Sequence, residues 1–169
     1  ITAADISLKI MQNGVEVSDA KNAGKYVITA ELTGDKAGLY TVVFRDGSYT
    51  INPRNITVNV KNQEITYGDN PANIYSSLDN YSSLSDQDKL AALNGVIELA
   101  TGSTLPTGDT LVMLGEPKFS VGYAQYGAVG NSYVIKLSGL ENPNYNITFA
   151  DGTLNVKQKN VSITINNAS

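Results

Sequence analysis

The sequence predicts a mainly β protein that carries one short helix. Apolar and polar side chains alternate in several short runs, which is the period of a strand with one buried face. Asp-Gly and Asn-Gly pairs lie between β-rich runs, where hairpin turns are expected. One segment, around residues 85–95, combines a capping residue, an apolar stripe and a stop signal, as a helix requires.

Three runs show the strand pattern most clearly. Each places three apolar residues at alternate positions with mainly polar residues between them, so one face of the strand is predicted to be buried. The apolar positions are Ile6, Leu8 and Ile10 in the first run, Ile56, Val58 and Val60 in the second, and Val161, Ile163 and Ile165 in the third.

Three turns predict β-hairpins. Asp46-Gly47, Asp151-Gly152 and Asn13-Gly14 each lie between two β-rich runs. Both central residues of a type I′ turn need a positive φ, which Asp, Asn and Gly accept most readily. The predicted hairpins therefore span residues 10–17, 41–51 and 146–156.

The helix signals begin at Ser85, a favourable N-cap residue. Asp86 and Asp88 follow in the first turn, where carboxylates face the positive end of the helix dipole. Leucines and alanines at 90–93 supply the apolar stripe, and Asn94-Gly95 supplies a stop. Residues 96–100 either extend this helix or begin a strand.

The chain contains an internal repeat with an offset of 105 positions. Residues 32–62 align with 137–167 without a gap, and eight of the 31 pairs are identical. Tyr, Phe, Asp-Gly and Asn recur in one register, which alternation alone does not explain. Upstream, Tyr26 corresponds to Tyr133 after a two-residue adjustment. Self-similarity at a fixed period indicates an array of repeated units.

The repeat defines the predicted domains. Pro53 marks a boundary between a small β domain, 1–52, and an α+β domain, 53–157, whose residues 65–130 have no counterpart in the first domain. Residues 158–169 align with 53–64, so they are predicted to form the first strand of a next repeat. This strand completes domain 1–52 or pairs with a neighbouring molecule. The chain is interpreted as a piece of a longer protein.

Composition argues against several function classes. The net charge is −4 and the basic residues are dispersed, so nucleic-acid binding is not expected. No apolar run approaches the roughly 18 residues of a membrane-spanning helix. The chain has no His and no Cys, which removes the commonest general base and the commonest transition-metal ligands. We therefore predict no enzyme activity, no catalytic residue, no metal site and no cofactor.

Two acidic pairs offer alternatives to that prediction. Glu98 with Glu116 could serve as a glycosidase pair, but solvated surface charges are the simpler interpretation. Asp86 and Asp88 could hold calcium, but no Asp-x-Asp-x-Asp loop surrounds them. Helix capping explains those two residues better.

A family resemblance rests on two motifs. The element from Ile65 to Pro71, which contains Tyr67-Gly68-Asp69, opens the second unit, and the element from Asn144 to Val156 closes it. Together with Leu137-Ser138-Gly139 they resemble the MBG-type repeat of large cell-wall proteins of lactobacilli and related Gram-positive bacteria, including mucus-binding adhesins. The resemblance covers 54–157 well and 24–52 only through its terminal segment.

The resemblance implies both a fold and a function. Repeats of this kind pair an immunoglobulin-like β-sandwich part with a ubiquitin-like β-grasp part, which would be 1–52 and 53–157 here. They imply an extracellular module, anchored to the cell wall, that binds host mucin or other glycans and gains avidity from neighbouring repeats. The alternative is a spacer repeat that projects a distal binding domain.

Tyrosines are the candidate ligand-binding residues. The chain has ten tyrosines, and those that recur between the units are interpreted as structural. Aromatic faces can pack against sugar rings, and loops carry function more often than cores do. The candidates are the tyrosines found only in the second unit: Tyr75, Tyr81, Tyr123 and Tyr126. For each of them, a structural role beside the core is the alternative.

Overall fold

Among the described residues, eleven β-strands and one α-helix form most of the regular structure, with a few short 3-10 helices, so the mainly β prediction is confirmed. The computed structural model describes residues 1–166, apart from the side chains of Asn131 and Ser132. The helix, α1, spans Asp86–Val96. The strands are β1 Ile6–Gln12, β2 Val15–Glu16, β3 Gly24–Leu32, β4 Gly47–Ile51, β5 Arg54–Val60, β6 Gln63–Thr66, β7 Ile97–Leu99, β8 Gly115–Val121, β9 Gly130–Leu140, β10 Tyr145–Ala150 and β11 Gly152–Lys157.

The chain divides into two compact units. Unit 1 contains residues 1–54 and the short segment 143–145. Unit 2 contains residues 55–142 and the described residues from 146 onward. The division along the chain falls after Arg54, close to Pro53.

Unit 1 contains one antiparallel sheet in the order β2-β1-β3-β4. The hairpin predicted at Asn13-Gly14 is confirmed, because both residues have positive φ, 52° and 81°, and they join β1 to β2. No second sheet occurs among the described residues of this unit. The two-sheet sandwich that the resemblance implies for 1–52 is therefore not seen in them.

Unit 2 contains two sheets, β10-β5-β7 and β6-β11-β9-β8. Among the described residues the chain passes from one sheet to the other five times, including the short connections between β5 and β6 and between β10 and β11. β6 and β11 pair in parallel, with α1 between them in sequence. That arrangement agrees with the β-grasp part implied for 53–157.

The alternating strand pattern predicts burial correctly in β5. Ile56, Val58 and Val60 are at most 5% exposed. Leu154 and Val156 of β11 are buried too, so both strands contribute to the apolar core of unit 2. A core of this kind supplies most of the stabilisation of a small domain, at roughly 25 cal/mol per Å² of apolar surface.

The two hairpins predicted at Asp46-Gly47 and Asp151-Gly152 are wrong. β10 pairs with β5, and β11 pairs with β6 and β9, so Asp151-Gly152 marks a crossing between sheets. Residues 41–45 form no strand in this fully described segment, and β4 pairs with β3. Neither Asp-Gly pair has positive φ. Gly152 is needed for space, since a Cβ there would lie 2.8 Å from the Val60 carbonyl oxygen.

The helix begins as predicted and ends at Val96, one residue beyond Gly95. The Ser85 hydroxyl accepts a hydrogen bond from the Asp88 N–H at 3.1 Å, which confirms the N-cap. α1 continues past Gly95 because the Val96 side chain is buried in the core, and residues 97–99 then form β7. Lys61 donates to the Asn94 carbonyl at 2.7 Å and so satisfies the carboxyl end of the helix. Of the helices in residues 1–166, none is both long and apolar enough to cross a bilayer.

Strand register supports the internal repeat independently of residue identity. In unit 1, Gly47, Ser48 and Tyr49 face Ile28, Val27 and Tyr26. In unit 2, Gly152, Thr153 and Leu154 face Ile135, Val134 and Tyr133, which are the aligned positions. β8 pairs with β9 as β1 pairs with β3, so β8 has a counterpart in unit 1. The part of unit 2 without a counterpart in unit 1 is therefore shorter than the predicted 65–130.

The segment 158–166 has neither helix nor strand structure. Its apolar residues Val161, Ile163 and Ile165 are 77–88% exposed. Residues 167–169, the end of the strand predicted at 158–169, lie outside the described residues. The pairing of this strand with unit 1 or with a neighbouring molecule stays a prediction.

Candidate functional site

The four candidate tyrosines occupy three different environments within unit 2. Tyr81 and Tyr123 are buried, Tyr75 is half-buried, and Tyr126 is 67% exposed. They therefore do not form one aromatic surface. Each environment supports a different role.

Tyr75 and Tyr123 line a shallow groove of about 350 Å³ together with Pro71, Asp79 and Phe119. The Tyr75 ring stacks on Phe119 at 4.2 Å between centroids, so one of its faces is already covered. Tyr123 packs edge-on against Tyr133 at 5.0 Å. Within the described residues both groove hydroxyls are buried without a hydrogen-bond partner. Burial raises the pKa of Tyr75 to about 12.

Tyr81 lies beside α1. Its hydroxyl donates to the Gly115 carbonyl at 3.5 Å, and the Lys89 ammonium lies 5.4 Å from the ring centroid. Burial, and secondarily the charge of Asp86, raises the pKa of Tyr81. These contacts give Tyr81 a structural role in docking the helix.

Tyr126 forms an exposed aromatic pair with Tyr67. The two rings meet edge to face, with centroids 6.2 Å apart and an interplanar angle of 69°. Tyr67 is 39% exposed. Tyr126 has φ 68°, which is uncommon for a residue with a side chain and is most often seen at turns and functional positions. We call Tyr67 and Tyr126 the tyrosine pair.

The Tyr67-Gly68-Asp69 motif builds the turn that presents one half of the tyrosine pair. The Asp69 N–H donates to the Thr66 carbonyl at 3.0 Å, which closes a four-residue turn. Gly68 has φ 95°, the left-handed conformation that this position of the turn needs. The Asp69 carboxylate accepts from the Thr66 N–H at 2.9 Å. Gly68 and Asp69 therefore each have a physical reason to be in the motif.

A second turn, 124–127, holds the other half of the tyrosine pair against the first. The Gln125 side-chain amide donates to the Gly68 carbonyl at 2.7 Å, and the Gly127 N–H donates to the Ala124 carbonyl at 2.9 Å. A Cβ on Gly68 would lie 3.8 Å from the Tyr126 ring. The two turns thus fix the rings before any ligand arrives.

Sequence reasoning did not select Tyr67 and Gln125 as site residues. Tyr67 stood inside the motif that carried the family resemblance, and its position in a turn after β6 was the available signal. Gln125 had no such signal, because its bond to Gly68 joins residues 57 positions apart.

A polar surface of about 590 Å³ lies along β6 and β11, lined by Asn62, Gln63, Glu64, Thr153 and Asn155. Its groups are largely occupied by structural bonds. Asn62 accepts from the Thr153 N–H at 2.9 Å, and Glu64 accepts from the Asn155 amide at 3.2 Å. Lys157 pairs with Glu64 and lowers the pKa of that carboxyl. The surface therefore holds the parallel strands together.

One residue of each acidic pair considered from the sequence, Asp88 and Glu98, has a local partner. The Ser85 hydroxyl donates to the Asp88 carboxylate at 2.7 Å, and Lys61 lies 3.9 Å from the carboxylate of Glu98. Across residues 1–166, no three acidic side chains converge as a metal site would require.

Comparison with known proteins gives one match. A family model described as "MBG domain (YGX type)" matches residues 56–155. Those residues make up most of unit 2 and include both halves of the tyrosine pair. No curated protein and no solved structure matches the chain.

Proposed function

The chain belongs to the MBG domain family of the YGX type, and on that premise we propose that it is a non-catalytic adhesin repeat that binds mucin-type glycans. MBG repeats are adhesin-type binding modules and not a known enzyme family. The observation that carries the proposal is the exposed tyrosine pair on the family's own Tyr-Gly-x turn. The pair joins that turn to the 124–127 turn of the same unit.

The tyrosine pair has the chemistry that sugars need. An exposed aromatic ring packs against the C–H face of a pyranose, and its hydroxyl remains available to solvent or to a sugar hydroxyl. Two rings that meet at 69° offer a corner rather than a flat platform. The turns hold this corner in place, so little conformational entropy is lost on binding.

Binding by one such corner is expected to be weak. A single solvent-exposed aromatic contact contributes on the order of 1 kcal/mol, well short of the roughly 4 kcal/mol that a millimolar dissociation constant requires. Repetition in an array raises the effective concentration, so weak single sites bind a multivalent mucin tightly. An extracellular surface protein anchored to a Gram-positive cell wall, such as that of a lactobacillus, is the proposed setting.

A mucin pull-down and a glycan array test the proposal with the single chain and with a chain that carries several copies. Tyr67→Ala and Tyr126→Asn each remove one ring, and Asn tolerates the positive φ at position 126. We expect each variant to weaken binding by roughly threefold to tenfold. Met113→Ala, which removes an exposed apolar side chain from the same unit, should bind normally. Failure of both the single and the multi-copy chain to bind would contradict the proposal.

A spacer role is the second candidate, and the internal repeat favours it, because tandem repeats build elongated proteins. Deleting internal repeats from the whole protein, with its tip preserved, distinguishes the two candidates. For a spacer, adhesion depends on the number of repeats and is unaffected by Tyr67→Ala in all of them.

A further inference from the structure

The shallow groove of about 350 Å³ in unit 2 lies on the same two chain segments as the tyrosine pair. Its Pro71 wall is four residues from Tyr67, a stretch of at most about 14 Å. On the other side, a Cβ on Gly127 would lie 3.0 Å from the Tyr123 ring, so the 124–127 turn packs on that wall. The groove and the tyrosine pair are therefore neighbours, close enough for one short oligosaccharide to reach both.

The segment that carries Tyr75 is held loosely. It is a 3-10 helix, Pro71–Leu78, and runs of this length are uncommon because the hydrogen-bond geometry of a 3-10 helix is poor. None of its eight residues is fully buried. Its first turn is capped by Asn70, whose side chain accepts from the Ala72 N–H at 3.0 Å. Segments with so few buried contacts open more readily than the core does.

Two opposing effects act on the Tyr75 ring. Its stack on Phe119 stabilises the closed position. Its hydroxyl is buried and has no hydrogen-bond partner among the described residues, which costs free energy of similar size. Rotation of the ring away from Phe119 returns the hydroxyl to solvent, so little free energy separates the open position from the closed one. An open ring uncovers one face of Phe119.

The groove combines three kinds of surface. The Tyr75 hydroxyl supplies a hydrogen-bond donor, and the exposed Asp79 carboxylate supplies an acceptor. The apolar walls are Pro71, Ala72, Phe119 and Val121. A matching ligand has an apolar face, a methyl group and an amide that both accepts and donates. An N-acetylhexosamine has all of these, an unsubstituted hexose lacks the amide and the methyl group, and an anionic sugar is repelled by Asp79.

With the glycan-binding function proposed above as the basis, we propose that the groove binds an N-acetylhexosamine residue when Tyr75 rotates off Phe119. The ring of this sugar packs on the uncovered face of Phe119, and the next sugar of the same glycan packs on the tyrosine pair. The acetamido carbonyl accepts from the Tyr75 hydroxyl, and the acetamido N–H donates to the Asp79 carboxylate. Because the second contact is intramolecular, a short oligosaccharide binds more tightly than either sugar alone.

A nuclear magnetic resonance titration of the full 169-residue chain with methyl glycosides tests the proposal. We expect N-acetylglucosamine and N-acetylgalactosamine to shift the ring signals of Tyr75 and Phe119, with nuclear Overhauser contacts from the acetamido methyl group to Phe119. Glucose and galactose should bind at least about fivefold more weakly, because they leave the donor and the acceptor of the groove unpaired. N-acetylneuraminic acid should also bind more weakly, because its carboxylate meets Asp79. Equal affinity for acetamido and plain sugars, or shifts confined to the tyrosine pair, would overturn the proposal.

Tyr75→Phe removes only the hydroxyl and keeps the stack on Phe119. We expect it to weaken binding of the acetamido sugars about fivefold to tenfold, because the closed position becomes more favourable and the acetamido carbonyl loses its donor. The thermal stability of unit 2 should be unchanged or slightly higher. Tyr81→Phe removes a hydroxyl of the same unit that does not line the groove, and it should bind normally. Normal affinity of Tyr75→Phe for the acetamido sugars would overturn the proposal.

Variants of the tyrosine pair separate the groove from the adhesin role. Tyr126→Asn should weaken mucin binding and leave the shifts of Phe119 by free acetamido sugars in place, because a single sugar needs only the groove. Mucin binding that depends on Tyr126 and is unaffected by Tyr75→Phe would leave the adhesin role standing and overturn the groove. If neither the single chain nor the multi-copy chain binds any glycan, both proposals are wrong.

Discussion

The β3–β4 pair of unit 1 and the β9–β11 pair of unit 2 share one register, but two pairs of aligned apolar residues differ in burial. Ile135 and Leu154 are fully buried, whereas the aligned Ile28 and Tyr49 remain half-exposed. The difference lies in β5, which covers the unit 2 face and pairs with β10. The comparison teaches that residues 40–45 and 145–150, with similar sequences, form a strand only where a partner strand is present.

The largest expected effect distinguishes Val58 from its aligned residue Ile163. Val58→Asp buries an unpaired charge at a position that is 0% exposed, so we expect a loss of several kcal/mol or complete unfolding of unit 2. Ile163→Asp, at 86% exposure, should change the stability of the monomer by less than about 0.5 kcal/mol. Urea denaturation followed by circular dichroism measures both. Equal losses in the two variants would remove the contrast between β5 and 159–165.

The next effect compares Gly152 with Gly47. Gly152→Ala drives a Cβ to within 2.8 Å of the Val60 carbonyl oxygen, and we expect it to cost about 1–3 kcal/mol. Gly47→Ala meets nothing closer than 3.9 Å and should be neutral or slightly stabilising in the monomer. The same denaturation experiment serves for both. A neutral Gly152→Ala would show that the crossing between the two sheets tolerates a shift.

Gly152 also shows where sequence reasoning stops. Alternation predicted burial in β5 because the two-residue period is local. The Asp-Gly pairs predicted hairpins because such pairs favour type I′ turns. Gly152 is instead required because a Cβ there would clash with the carbonyl of Val60, which lies 92 positions away in the sequence. Of the tyrosine pair, the sequence predicts only Tyr126 as a candidate ligand-binding residue. The role of Tyr67 depends on the contact of its turn with Gln125, which the sequence does not reveal. Long-range contacts of this kind leave no periodic trace in the sequence.

Smaller effects are expected from tyrosine hydroxyls. Tyr26 donates to the Asn22 carbonyl and its counterpart Tyr133 donates to the Ala128 carbonyl, both at 2.7 Å. Phe at either position should cost about 1 kcal/mol, because a carbonyl loses its donor. Tyr123→Phe removes a buried hydroxyl that has no partner among the described residues, so it should be neutral or stabilise by up to about 1 kcal/mol.

Hydrogen exchange measured by mass spectrometry assigns each of these changes to a unit. Tyr26→Phe should raise exchange in β3 and β4, and Tyr133→Phe should raise it in β9 and β11. A destabilising Tyr123→Phe would mean that its hydroxyl has a partner in solution, such as a bound water.

The smallest expected effect concerns the acid stability of unit 1. Lys36 donates to the Asp5 carboxylate at 2.9 Å, and this bond, with bonds from Thr2, lowers the pKa of Asp5. A carboxyl whose pKa is lowered by folding stabilises the folded state above its ordinary pKa, near about 4, and loses that contribution as the pH falls through the folded-state value. Asp5→Asn should therefore reduce the loss of stability that β1 and β3 show as the pH falls, with little change in unit 2. Asp46→Asn, which removes an exposed carboxylate from the same unit, is the control. Hydrogen exchange measured at several acid pH values tests both variants. If Asp5→Asn leaves the pH dependence of stability in unit 1 unchanged, solvent screening of the exposed Lys36–Asp5 pair cancels its contribution to stability.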